Sequence, residues 1–161
     1  MTALFTALLA IVLALTVVPA ASAATDADTG LSEEAAGALA AQAAEMPGGI
    51  VEGNTIVYPD GSYFVALDAE TFSLSECSSG YFCGWAQSNF SGSFFAVSGS
   101  GVTKSLSWST RSYWNRRSAI ARLYNNTATA STCFAVNESR ATIDSSYYTP
   151  DKVTLSTSTS C

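Results

Sequence analysis

The stretch Cys77-Ser78-Ser79-Gly80-Tyr81-Phe82-Cys83-Gly84-Trp85, followed three residues later by Asn89-Phe90-Ser91-Gly92, sets the character of the C-terminal half of this 161-residue chain. A short aromatic run is closed by Gly, Ser and Asn, and the pattern recurs downstream. Candidate strands are 80–87, 93–98, 104–108, 118–125, 132–137 and 142–148, with 152–156 closing the set. Helical periodicity is absent from this half. Evenly spaced short β-prone runs with turn residues between them predict an all-β domain, a sandwich or barrel of antiparallel strands.

Upstream, Thr55-Ile56-Val57-Tyr58 and Tyr63-Phe64-Val65-Ala66-Leu67 flank Pro59-Asp60-Gly61-Ser62. Proline presets the turn and glycine admits positive φ, so the two runs read as a β-hairpin. Before it, residues 24–46 are rich in Ala, Glu and Ser, with Leu31, Leu39 and Met46 as the only large apolar side chains. A helix over 32–46 would have little to bury and reads as a leader, linker or weak helix, ended by Pro47-Gly48-Gly49. Earlier still, an uncharged apolar run from Leu4 to Val18 meets Pro19 and Ala21-Ser22-Ala23. That pattern predicts an export signal over 1–23, too short to span a bilayer comfortably. The expected divisions are 1–23 signal peptide, 24–47 acidic Ala-rich leader or linker, 48–72 extended hairpin segment and 73–161 disulfide-stapled domain.

Cys77, Cys83, Cys133 and Cys161 form an even set in a chain expected to leave the cell, which favours two disulfides over metal ligation. Three pairings are open. In one, Cys77 with Cys83 closes a short loop and leaves Cys133 to tie Cys161 back onto the body. The chain has no histidine, which removes Cys-His zinc sites, Ser-His-Asp and Cys-His catalysis and a histidine general base. No cofactor or metal is expected, and no acid stands beside an evident base, so an enzyme is disfavoured.

Charge divides the chain. Residues 24–76 carry ten acids and no base, whereas from Cys77 onward seven bases face Glu138, Asp144 and Asp151, for a net charge of −6. The acidic part is either a solvated linker or a segment that docks on the stretch holding Arg111, Arg116, Arg117 and Arg122. Four bases in an acidic protein argue against nucleic acid.

The Cys77–Trp85 run with Asn89-Phe90-Ser91-Gly92 resembles the opening Greek-key motif of the βγ-crystallin fold. More closely, it is similar to the secreted actinobacterial metalloproteinase inhibitors built on that fold. The resemblance implies that Phe90 folds over the hairpin and that Gly92 has positive φ. Trp114-Asn115-Arg116-Arg117-Ser118-Ala119-Ile120 falls at the second signature, and a less regular second copy begins at Ala121-Arg122-Leu123-Tyr124. The hairpin segment from Gly49 to Gly61 also resembles the pre-domain region of exported relatives.

In that family the bond offered to the protease follows a Thr-Cys pair, and Thr132-Cys133-Phe134 matches, nominating Cys133-Phe134 as the reactive bond. The alternative is that Phe134 faces inward and Cys133 is a structural staple. The family's loop is closed locally by a second cysteine, where this chain has Val136-Asn137-Glu138-Ser139. The fold's calcium pattern is incomplete at Trp114–Ala119, which lacks the first oxygen donor and adds two cations.

The expected function is a secreted inhibitor of extracellular metalloproteases that binds through a rigid loop. A second reading is a non-enzymatic adaptor in a secreted assembly, with Ile50, Val51, Ile56 and Val57 adding a strand to a partner's sheet. A third is a carbohydrate-binding or antimicrobial module using Trp85, Trp108, Trp114, Tyr147 and Tyr148. The expected partner is another secreted protein, a metalloprotease in the first reading, with no nucleic acid and no membrane in the mature form.

Overall fold

The computed structural model describes residues 30–161, and the signal-peptide expectation for 1–23 lies outside them. Eleven strands among the described residues form two antiparallel sheets. In chain order they are β1 (Ile50–Glu52), β2 (Thr55–Val57), β3 (Tyr63–Val65), β4 (Phe82–Trp85), β5 (Phe94–Val97), β6 (Val102–Ser105), β7 (Ser112–Asn115), β8 (Ala121–Tyr124), β9 (Ser131–Phe134), β10 (Ser139–Arg140) and β11 (Lys152–Leu155). The larger sheet runs β1-β2-β3-β5-β4-β7-β10, the smaller β6-β11-β8-β9. Thus β4, β5 and β7 share a sheet while β6 crosses to the other, and β8, β9 and β11 share a sheet while β10 crosses back. Each sheet takes one strand from the other group of four, which locks the two halves together.

Phe82, Phe95 and Tyr113 from the large sheet meet Leu123, Phe134, Val153 and Leu155 from the small one in the central core. Gly84 makes this closure possible: a Cβ there would stand 2.6 Å from Phe95 Cε1 and 2.8 Å from Tyr113 Cε1. A second cluster, Val65, Cys77, Cys83, Trp85, Phe94 and Ala96, covers the other face of the same strands. β4 and β5 are therefore buried on both sides, which is why they read as near-continuous apolar runs.

The motif behaves as its resemblance implies. The Phe90 ring lies 5.4 Å from Trp85 in edge geometry, and Gly92 has φ 75°. The hairpin around Pro59–Ser62 forms as expected, with the Asp60 carboxylate accepting from Ser62 N–H at 2.9 Å. A second hairpin joins β1 to β2, and β3 pairs with β5, so the segment extends the domain's own sheet.

Three local expectations change. Residues 142–148 form a 3₁₀ turn at Ser145–Tyr147 instead of a strand, because the Asp144 side chain accepts from Ser146 N–H at 2.9 Å and caps the turn. Residues 112–115 form β7, an interior strand between β4 and β10, which their polar ends conceal in the sequence. The Ala-rich stretch forms α1 (Glu33–Glu45), capped by Ser32, whose hydroxyl accepts from Ala35 N–H at 3.1 Å. It does bury a face: Ala35 and Leu39 join the core, and Gln42 donates to the Tyr58 hydroxyl at 3.0 Å. Alanines allow a close approach that replaces the missing large side chains.

Among the described residues, no acid of the acidic segment forms an ion pair with an arginine, and the segment's one ion pair to the basic half joins Asp60 to Lys104. Arg117 is buried and donates to the carbonyls of Ile120, Gly99 and Ser156, stapling three loops, with desolvation drawing its pKa below the usual range. Arg116 donates to the Cys77 carbonyl and lies over the Trp114 ring, and Arg111 lies over Tyr148.

Candidate functional site

Strand β9 belongs to the small sheet and β10 to the large one, so the turn between them, Ala135–Glu138, bridges the two sheets at one end of the domain. Asn137 adopts φ 57°, a left-handed conformation that asparagine tolerates better than most residues. The Glu138 N–H donates to the Ala135 carbonyl at 3.2 Å. The Glu138 carboxylate in turn accepts from Ala135 N–H at 2.6 Å and from Arg140 Nε at 2.8 Å. Arg140 continues back across the turn, donating to Thr132 Oγ1 and to the Cys133 carbonyl, each at 2.7 Å. Partial burial alone would raise the Glu138 pKa, but the Ala135 N–H and the Arg140 guanidinium outweigh it and hold the carboxyl below its ordinary value.

From beneath, Asn115 on β7 supplies a fully buried amide. Its Nδ2 donates to the carbonyls of Ala135 at 2.8 Å, Ala119 at 2.9 Å and Phe134 at 3.3 Å, and its N–H donates to the Glu138 carbonyl at 2.8 Å. Trp114 Nε1 adds a long contact of 3.4 Å to the Asn137 carbonyl. With its backbone held at this many points, the turn exposes Ala135, Val136 and Asn137, and Val136 is 42% exposed.

Cys133 and Cys161 form one disulfide, and Cys77 and Cys83 the other, in the pairing that the short-loop reading described. The first encloses the whole turn and fastens residue 161 to β9.

Phe134 does not face out. It is 0% exposed, with ring centroids 5.2 Å from Phe82 and 5.8 Å from Tyr113 and the Arg140 guanidinium 4.3 Å from its own. The expectation of an accessible apolar side chain at Cys133-Phe134 therefore meets an inward-facing residue. Side chains alternate along a strand, and Phe134 falls on the core side. The accessible apolar side chain lies two residues on, at Val136. Asn115 stands in the sequence only within an incomplete calcium pattern, and nothing local marks Glu138 or Arg140 as holding the turn.

Of the second set, Ile50, Val51 and Val57 are exposed, but Ile56 is 1% exposed and packs in the core, so it cannot serve a partner. Trp85 is also buried, donating to Ser73 Oγ at 2.8 Å, and Trp108 is half-buried against Phe64 and Phe95. No helix among the described residues is long and apolar enough to cross a membrane.

The family model of peptidase inhibitor family I36 matches residues 70–136. This I36 segment runs from just before Cys77 through β9 to Val136 and includes Thr132-Cys133-Phe134. It agrees with the resemblance read from the Cys77–Gly92 motif, and over those residues the chain is similar to peptidase inhibitors. No curated protein and no solved structure matches the chain.

Proposed function

We propose that this protein is a secreted inhibitor of extracellular metallopeptidases that binds them through the end of β9 and the turn after Cys133. The carrying observation is the exposed Val136 on a turn whose backbone is held by Glu138, Arg140 and Asn115. A preordered loop binds without the entropic penalty of ordering it, and an apolar side chain suits the leaving-side pocket of thermolysin-like enzymes. Export is supported by the apolar run before Ala21-Ser22-Ala23 and by the two disulfides. The Cys133-Phe134 bond could be presented only if the end of β9 lifted Phe134 from the core.

Titration of the oxidised protein into a thermolysin-type assay, beside subtilisin- and trypsin-type assays, tests this directly. Stoichiometric inhibition confined to the metallopeptidase is expected; none in any assay would sink the proposal. A second reading, an adaptor, has one favouring observation: Ile50 and Val51 are 67% and 52% exposed on the edge strand β1. Val51→Lys would abolish adaptor binding and leave inhibition intact.

A further inference from the structure

Helix α1 does not close fully onto the large sheet. Between the helix, the sheet and the loop that carries Trp108 runs a cleft of about 410 Å³. Its helical wall is Glu34, Ala38, Ala41, Gln42 and Glu45, whose spacing puts them on one face of α1. Phe64, Leu67 and Trp108 add apolar surface, so the lining is mostly apolar. The Trp108 ring stands edge-on to Phe64 and Phe95, which fixes this wall in advance of any ligand. Both charged groups in the lining are carboxylates, one towards each end of the helix. At about 1.5 Å of rise per residue, the backbones of Glu34 and Glu45 stand about 16 Å apart. Among the described residues neither enters an ion pair, and the chain has no Lys or Arg before Lys104. Arg111 lines the adjoining hollow with Glu70 and lies over the Tyr148 ring. The Gln42 amide nitrogen is committed to Tyr58, so the negative charge of the cleft is unanswered within the chain.

We infer that this cleft binds an extended aliphatic dication, with an ammonium at each end reaching Glu34 and Glu45 and a methylene stem lying along Ala38, Ala41 and Trp108. An anion is repelled at both ends, and a second copy of this chain would bring its own acidic segment to the same place. A single-headed amine answers one carboxylate, and a short diamine reaches only one at a time. The two carboxylates sit at the solvent-exposed rim, where an ion pair alone adds little, so the stem on the apolar wall supplies most of the affinity. No lining residue belongs to the turn after β9, so the inference stands apart from the inhibitor reading.

The oxidised chain is titrated by calorimetry with a twelve-carbon α,ω-diamine, its four-carbon counterpart and the mono-acetylated twelve-carbon compound, with tryptophan emission followed in parallel. One-to-one binding of the twelve-carbon diamine is expected, with Kd on the order of 10⁻⁵ to 10⁻⁴ M at low salt. The four-carbon diamine should bind at least about tenfold more weakly, because each methylene buried is worth up to about fourfold in affinity. Mono-acetylation, which removes one charge and keeps the stem, should cost about two- to fivefold. Glu34→Gln and Glu45→Gln should each cost about the same, whereas Glu33→Gln, on the same helix but outside the cleft, should leave binding unchanged. Trp108→Phe should keep calorimetric binding and remove most of the emission change. Absence of binding by the twelve-carbon diamine, or equal affinity for the two lengths, overturns the inference. Equal losses from Glu33→Gln and Glu34→Gln overturn it too, since they mark general attraction to an acidic surface. An emission change that survives Trp108→Phe places the ligand elsewhere and has the same force.

Discussion

Asn115 Nδ2 lies 2.8 Å from the carbonyl oxygen of Ala135 and 2.9 Å from that of Ala119, so one buried amide joins the turn after β9 to the loop before β8. Replacing it with alanine strips the Ala119 carbonyl of this donor and leaves the Ala135 carbonyl with the Glu138 N–H alone, in a partly buried site. Asn115→Ala should lower unfolding stability by about 1–3 kcal/mol, read from the urea midpoint. Asn115→Asp should do worse, because a carboxylate cannot donate to a carbonyl and a buried charge would have no partner.

Val136 and Phe134 should separate binding from folding. Val136→Asp should abolish inhibition with a thermal midpoint close to wild type, since the residue is 42% exposed. Phe134→Ala empties a site between Phe82 and Tyr113 and should lower stability by about 3–5 kcal/mol. Loss of inhibition in a Phe134→Leu variant of unchanged stability would instead show the aromatic ring making the contact.

Helix α1 should detach without unfolding the sheets. Leu39 inserts into the core from the helix, so Leu39→Asp should release it: the helical circular dichroism falls and the chain becomes cleavable near Pro47-Gly48-Gly49. The large-sheet core around Phe82 and Tyr113 should persist, as reported by the near-ultraviolet aromatic signal.

Acid should loosen the turn. The folded-state pKa of Glu138 lies below its unfolded value, so its contribution is fully present above the ordinary glutamate range and is lost as pH falls through the folded value. Asp60 behaves likewise: partial burial opposes the shift, but Lys104 and Ser62 hold its pKa down. Asp60 is exposed and Glu138 is half-buried on a surface turn, so global stability should change little. Exchange of the Ala135 amide should quicken between about pH 5 and about pH 3 in the wild type, and be fast and pH-independent, beyond intrinsic exchange, in Glu138→Ala.

Some of this was local and therefore legible. Phe90 and Gly92 behave as their motif implied, the Pro59–Ser62 turn joins the strands beside it, and Cys77 pairs with Cys83. Elsewhere local signals misled. Ser112-Tyr113-Trp114-Asn115 looks too polar for an interior strand, yet Ser112 and Asn115 are buried because each satisfies backbone groups of adjoining loops. Residues 142–148 carry enough aromatics to read as a strand, but the Asp144 cap bends them into a turn.

Composition, cysteine number, turn residues and the aromatic-glycine motif by themselves determined a disulfide-stapled β domain resembling the inhibitor family, because each acts over a few residues or over the chain as a whole. Only the tertiary structure decided that Phe134 looks inward, that Val136 looks outward and that Asn115 reaches across from another strand to hold them. A one-residue change of register exchanges the two faces of a strand, and register depends on pairing partners distant in the chain.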